Sequence, residues 1–381
     1  MKKVVIALDS FKGCLSSMEA GKAAEEGIKS VYPNCETVCL PVADGGEGIL
    51  KALLSSTTGT YISVQAHNPL MEVIQTQYGL LGDGKTALIE MAAISGLPLI
   101  PAEKRNPMLT TSFGTGELIK DALNRGYRNF MVGIGGSATN DAGLGMLQAL
   151  GFRFTDKAGQ VLGVGGKILA EVAGIDFSSV HPFLKEAKFT IACDVDNPFF
   201  GPEGAAFVYA PQKGADEKMV KELDAGLESL AKVILRLTGK EIANYPGAGA
   251  AGGMGGGFLA FLNAALKPGI DLLLDVLDFD KKIEGANLVI TGEGRVDRQT
   301  IRGKAPSGIL ARAIRQQIPV IVIAGSIEDI PELNQAGFQG VFSITPGPVS
   351  LTQAMNPGFA KENIKRLASQ LCHTFYSFKS R

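Results

Sequence analysis

The stretch "VITGEGRVDRQTIRGK", Val289 to Lys304, begins as an apolar strand and then sets Glu293, Arg295, Asp297, Arg298, Gln299, Arg302 and Lys304 within twelve residues. Glycines and both signs of charge at the end of a strand are what an open α/β sheet offers a ligand at its carboxyl edge. Two further short, nearly continuous apolar runs follow, "IPVIVIAG" and "GVFSIT", and helix-sized segments such as "PSGILARAIRQQ" separate the runs. Runs of this kind are the signature of parallel strands buried on both faces. The amino-terminal end has the same texture. "KKVVIALDS" reads as a strand and "SSMEAGKAAEEGIKSV" as the helix after it, opened by a capping box of Ser16 and Glu19, with Ala20, Ala23, Ala24, Ile28 and Val31 on one face. "ETVCLPVA" is a second strand, and Asp44 to Ser55 a second helix.

Between the two ends the pattern changes. "EVIQTQYGLL" and "TALIEMA" alternate, glycine-rich loops are long, and "DEKMVKELDAGLESLAKVILRL" is a charged helix. A chain of 381 residues exceeds the ~250–300 at which single cores stop growing. The expected fold is a doubly wound parallel-sheet domain, flavodoxin- or Rossmann-like, built from residues 1–60 and 270–381. A mixed α/β domain of residues 61–269 is inserted in it, and the active site is expected in the cleft between the two. "YRNFMVGIGG" reads equally well as a further parallel strand of the first domain.

Composition narrows the function. With 37 basic and 38 acidic residues there is no overall field to gather nucleic acid or an anionic membrane, so neither partner is expected. The apolar run Val4 to Leu8 is too short for a signal segment, and a cytoplasmic location is expected. Five scattered cysteines suit reduced thiols, and His67, His181 and His373 lie too far apart in sequence to suggest a zinc site. Uncharged Gly247 to Leu266 imitates a membrane span, yet thirteen of its residues are Gly or Ala. Glycine weakens a helix by ~1 kcal/mol relative to Ala, so a flexible loop running into a short helix, Phe258 to Leu266, is the expectation.

Three nucleotide motifs are present by letter. "GLLGDGKT", Gly79 to Thr86, satisfies the Walker A pattern, but Asp-Gly between two alternating runs signals a β-hairpin turn where a P-loop needs strand then helix. "GIGGSA", Gly133 to Ala138, and "GAGAAG", Gly247 to Gly252, both satisfy the dinucleotide fingerprint. In a chain with 48 glycines, well above the ~7% average, such spacings arise by accident. The first is followed by Thr139, Asn140 and Asp141, which suit caps or Mg²⁺ better than a pyrophosphate.

What remains is a polar cluster after one strand after another: Asp9, Ser10 and Lys12; Asp44 and Glu47; Asn140 and Asp141; Asp194 and Asn197; and Glu293 to Lys304. Acids paired with cations, among glycines that expose backbone N–H groups, are what phosphoryl transfer requires. Each has a plainer alternative. Asp44 with Glu47 is itself a capping box, Asn197-Pro198 is ordinary turn chemistry, Asn140 or Asp141 can cap the next helix, and Arg298 and Arg302 suit solvated surface.

The strings "DSFKGCLSSMEA", "PVADGGEG", "GIGGSATNDAGLGMLQALG", "ACDVDNPFFGPEGAAFVYAPQKGA", "GAGAAGGMGGG" and "VITGEGRVDRQTIRGKAPSG" resemble, in order and spacing, the bacterial type 1 glycerate kinases. The likeness spans nearly the whole chain. Small departures are Leu8, Cys14, Ile49 and Ala142, the last where a glycine is common. The resemblance implies two α/β domains, ATP and Mg²⁺, and phosphorylation of D-glycerate, mostly to 2-phosphoglycerate with the 3-product as the alternative. For that reaction Lys12, Asp194, Asp297 and Lys304 are the candidate catalytic groups, with an acid such as Asp194 or Asp297 accepting the hydroxyl proton. Candidate contacts to substrate and phosphate are Ser10, Gly45, Gly46, Gly135, Gly136, Ser137, Asn140, Asn197 and Arg295; Asp44, Asp141 and Glu293 are the candidate Mg²⁺ ligands. A monomer or homodimer acting on small molecules is expected. Two other classes stay open: an NAD-dependent oxidoreductase using Gly133 to Ala138 with an acid near Asp156, and a non-catalytic sugar-acid binding protein.

Overall fold

Val4, Val5, Ile6, Ala7 and Leu8 are all buried, and alternate side chains of a strand point to opposite faces, so the strand they form must be covered on both. The computed structural model, which describes residues 1–42, 53–54, 57–301 and 303–376, meets that requirement. Its strands in chain order are β1 (Lys3–Leu8), β2 (Glu36–Cys39), β3 (Thr60–His67), β4 (Val73–Leu80), β5 (Thr86–Glu90), β6 (Asn129–Gly133), β7 (Arg153–Thr155), β8 (Gly174–Asp176), β9 (Lys188–Ala192), β10 (Ala265–Lys267), β11 (Leu288–Val296), β12 (Val320–Ile327) and β13 (Gly340–Ser343). The chain divides into two units, Met1–Ser56 with Ile270–Arg381, and Thr57–Gly269.

The first unit is the open parallel α/β sheet expected from the apolar runs. Its order is β13-β12-β11-β1-β2, every pair is parallel, and Val4 lies opposite Leu288 and Ile290 opposite Ile321. Strand order runs one way from β1 to β2 and the other way from β11 to β13, so the topological switch point lies between β1 and β11. Val4, Ile6, Leu8, Ile290 and Ile323 pack with Ala20, Ala24 and Ile28 of the helix Ser17–Val31, and with Ala360, Ile364 and Ala368 of the helix Pro357–Tyr376. The Ser16–Glu19 capping box is formed: Glu19 N donates to Ser16 Oγ at 3.3 Å, and Ser16 N donates to Glu19 Oε2 at 3.0 Å.

In the second unit a six-stranded sheet, ordered β10-β9-β6-β5-β4-β3, is antiparallel from β3 to β5 and parallel from β5 to β10. β6 is the "RNFMVG" run; it pairs with β5 and β9, so it belongs to this sheet and not to the first. The charged segment forms the helix Glu217–Thr238, capped by Asp216, which accepts from Met219 N at 2.8 Å, and stopped by left-handed Gly239.

The glycine-rich stretch departs from expectation. It forms a helix, Ala250–Phe261, with left-handed residues Ala251, Gly252 and Gly253 inside it, and the chain from Ala265 to Lys267 is strand β10. Most of the helix is buried. A Cβ on Gly252 would lie 2.1 Å from Thr139 O, and one on Gly257 would lie 2.4 Å from Ala142 O. Its glycines therefore let it pack against the loop after β6. Among the described residues no helix is long and apolar enough to cross a membrane.

Candidate active site

β1 and β11 end side by side, Asp9 N donating to Gly292 O at 2.8 Å. Gly292 is a packing necessity, because a Cβ there would sit 1.9 Å from Ile323 O. Beyond Asp9 the chain turns tightly. Phe11 and Leu15 exchange backbone bonds of 2.9 and 3.0 Å, with Gly13 at φ 74°, and exposed Lys12 stands in the turn. From β11 and the loop after it come Glu293, Arg295, Asp297 and Lys304. Buried Thr300 holds that loop in shape: its Oγ1 donates to Glu293 Oε1 at 2.9 Å and accepts from Asp297 N at 3.1 Å. Lys304 Nζ stands 3.6 Å from Glu293 Oε2. Asp297 Oδ1 accepts from Gln299 N at 2.8 Å, and its other oxygen faces Arg295 Nε at 3.5 Å. One guanidinium nitrogen of Arg295 reaches both oxygens of Glu328, at 2.9 and 3.0 Å.

Ser10, Lys12, Glu293, Arg295, Asp297 and Lys304 line a cavity of about 590 Å³ at the switch point. Lys12 has no hydrogen-bond or ion-pair partner among the described residues. Such a cation is ready for an anion. Cys14 also lines the cavity, and burial, helped by the Glu19 carboxylate, pushes its thiol above the usual range, so it stands there as the neutral thiol.

The second unit holds a different cluster, after β6. Asp141 is fully buried. Its Oδ2 accepts from Ser112 N and Ser112 Oγ at 2.8 Å each and from Thr111 Oγ1 and Gly145 N at 3.3 Å, while Oδ1 accepts from Gly143 N at 3.1 Å. That carboxylate is committed to holding the loop. Beside it lies Lys213, 2% exposed, whose Nζ donates to Ser137 Oγ at 2.7 Å and to Thr139 O at 2.6 Å. Burial lowers the Lys213 ammonium to a pKa of about 7, with Asp141 pulling the other way. Asn140 is buried with neither amide atom hydrogen-bonded among the described residues.

The glycerate kinase family model matches residues 4–376. The chain belongs to the glycerate kinase family. It is 48% identical over 370 residues to a glycerate kinase of Bacillus cereus, covering 97% of each chain, and 46% identical over 373 residues to a glycerate 2-kinase of Escherichia coli, covering 98% of this chain and 97% of that one. A crystal structure assigned as a glycerate kinase 2 from Salmonella typhimurium LT2 superposes with a TM-score of 0.88 at 42% identity, covering both chains completely.

Against this family frame the sequence motifs sort themselves. Gly79–Thr86 is a hairpin: β4 and β5 pair antiparallel, and Asp83 accepts from Lys85 N at 2.8 Å and Thr86 N at 2.9 Å, leaving Lys85 exposed. No P-loop forms there. After β6 the next helix, Leu144–Ala149, begins only at Leu144, so Gly133–Ala138 does not open a helix as a dinucleotide fingerprint must. Asp156 accepts from Ala158 N at 2.9 Å and Gln160 N at 2.8 Å, closing its own turn. Gly135 and Gly136 are exposed and Ser137 is tied to Lys213. Asp194 accepts from Gly269 N at 2.7 Å, and Asn197 bridges Glu203 O at 2.8 Å and the Tyr209 hydroxyl at 2.6 Å. Asp44, Gly45, Gly46, Glu47 and Arg302, with the helix expected from Asp44 to Ser55, lie outside the described residues except for Leu53 and Leu54. Ala142 sits at φ 53°, a conformation glycine adopts without the Cβ strain. Lys213 went unnoticed in the sequence: between Pro211 and Gly214 it reads as a turn lysine, and its partners lie more than seventy residues away.

Proposed function

We propose that this protein transfers the γ-phosphoryl group of ATP to the 2-hydroxyl of D-glycerate, giving 2-phosphoglycerate and ADP. The observation that carries the reading is the cavity at the switch point, where Lys12, Arg295 and Lys304 converge with Glu293 and Asp297; family membership and the name of the Escherichia coli relative support it. In the reaction a glycerate oxygen forms the new bond to γ-phosphorus as the bond from that phosphorus to the bridging β-oxygen breaks. The hydroxyl proton passes to a carboxylate, and Asp297, which lines the cavity beside Arg295, is the one assigned that role. The three cations hold carboxylate and phosphate oxygens whose charge shifts during transfer.

The donor set also suits Mg²⁺, which takes oxygen ligands and is usually held by one or two carboxylates together with substrate phosphates. Glu293 is the group placed to hold it, and bound there it would neutralise phosphate charge.

ADP formation on mixing protein, Mg-ATP and D-glycerate tests the class, with product assayed through enolase. Only 2-phosphoglycerate proceeds directly to phosphoenolpyruvate. A signal that stays silent until phosphoglycerate mutase is added assigns the 3-hydroxyl, and no ADP at all leaves a binding protein.

A further inference from the structure

Glu293 is 9% exposed and Thr300 fully buried, and the hydrogen bond between them ties β11 to the loop that follows it. That loop closes without the bond. Thr300 N donates to Asp297 O at 2.9 Å and Gln299 N to Asp297 Oδ1 at 2.8 Å, so the turn of residues 297–300 is made by its own backbone and one local side chain. The reach back to Glu293 therefore serves something beyond the turn. A threonine hydroxyl has one hydrogen to donate, and here it is spent on Glu293 Oε1 at 2.9 Å while the oxygen accepts from Asp297 N at 3.1 Å. One buried side chain thus reaches both acids that line the cavity.

We propose that Thr300 is a positioning residue, acting through Glu293 on the Mg²⁺ that this carboxylate is placed to hold. The proposal rests on the phosphoryl transfer above for the identity of the ion, and on the hydrogen bonds for the role of Thr300. Carboxylates that hold metals are themselves held by hydrogen bonds, and losing such a partner typically costs about 10–100-fold in metal affinity. With Oε1 tied to Thr300, the Glu293 carboxylate is kept from rotating, and Oε2 stays on the side of Lys304 Nζ, 3.6 Å away. Threonine suits the task, since a β-branched side chain has few χ1 states and presents its hydroxyl in one direction. The same hydroxyl fixes the Asp297 backbone. The acid that holds the ion and the acid that takes the proton are therefore set against each other by one group.

Thr300→Val keeps the shape and removes the hydroxyl, Thr300→Ala is a second removal should valine prevent folding, and Thr300→Ser keeps the hydroxyl; urea transitions show which variants are folded. The probe is Mn²⁺, its affinity for the protein with ADP measured without turnover from the paramagnetic resonance signal of the free ion. Removing the hydroxyl should weaken Mn²⁺ about tenfold or more, leave ADP affinity without metal within about threefold, and be rescued to within about threefold by serine. In a Glu293→Gln background the same removal should cost less than about threefold, because a residue that acts through another has nothing left to act on. Unchanged Mn²⁺ affinity in the folded removal variant, a serine variant as weak as that one, or an equal loss in the Glu293→Gln background each overturns the proposal while leaving glycerate phosphorylation standing. If the natural protein makes no phosphoglycerate yet shows the expected Mn²⁺ pattern, the role of Thr300 survives and the proposed reaction falls.

Discussion

Two lysines in glycine-rich turns look alike in sequence and differ in surroundings. Lys85 sits in a solvent-exposed hairpin, so Lys85→Ala should leave kcat/KM within a few-fold. Lys12 and Lys304 line the cavity, and either changed to alanine should lower kcat/KM by a factor on the order of 10² or more if it meets charge that moves in the transition state. Steady-state kinetics of the three variants decide it: near-normal Lys12 and Lys304 variants would move the site elsewhere. Lys213 calls for a different measurement. Its ordinary pKa of 10.5 is lowered to about 7, so between those values the unfolded chain binds a proton that the folded chain does not. Stability from this group therefore rises with pH across that window and is flat below it. A neutral amine still has two hydrogens, enough for both Ser137 Oγ and Thr139 O. Relative to Lys213→Met, the natural protein should gain on the order of 2 kcal/mol between pH 7 and pH 9 in urea unfolding. Parallel profiles for the two proteins would show that Lys213 stays charged when buried.

Along one element, two glycines of the helix Ser17–Val31 should respond to alanine with opposite signs. A Cβ on Gly21 would meet Cys39 at an ordinary 3.8 Å, whereas one on Gly27 would lie 2.2 Å from the carbonyl oxygen of Lys365. Gly21→Ala should stabilise by up to ~1 kcal/mol through helix propensity. Gly27→Ala should destabilise by about 1–3 kcal/mol, because the helix Pro357–Tyr376 must back away. Both report on the same unit, so one set of urea transitions compares them; a stabilised Gly27→Ala variant would contradict the close helix approach. The elements best read from sequence were those whose signal is local. The capping box, the Asp-Gly hairpin and the apolar parallel strands are decided by neighbours a few residues apart. Ala250–Phe261 was not legible for the opposite reason. Its glycines are disfavoured by helix propensity, and the loop after β6 that they pack against is distant in sequence.

At the scale of the molecule, the two units make unequal demands on the chain. Thr57–Gly269 is continuous and has its own core, from Tyr78 and Phe130 through Leu227 to Phe258. Residues 57–269 expressed alone should unfold cooperatively in urea with dispersed amide spectra. Residues 270–381 alone should not fold, since β1 lies between β11 and β2 and its removal leaves β11 an apolar open edge. A cooperative transition from 270–381 would show that the sheet does not need its amino-terminal strand.

By sequence alone the parallel sheet was settled, because a strand buried on both faces must be apolar at nearly every position and such runs are visible in "KKVVIAL", "ANLVITG" and "IPVIVIAG". The presence of acids and cations after those strands was equally plain. Which of them meet was decided only by tertiary structure. Lys12 shares a cavity with Glu293 and Lys304 because β1 inserts beside β11, nearly three hundred residues later. Asp141, alike in composition and flanked by similar glycines, is enclosed by Thr111 and Ser112 from one distant segment and Lys213 from another, and is turned inward. Burial is a sum over such distant neighbours, and a short string of residues carries no record of them.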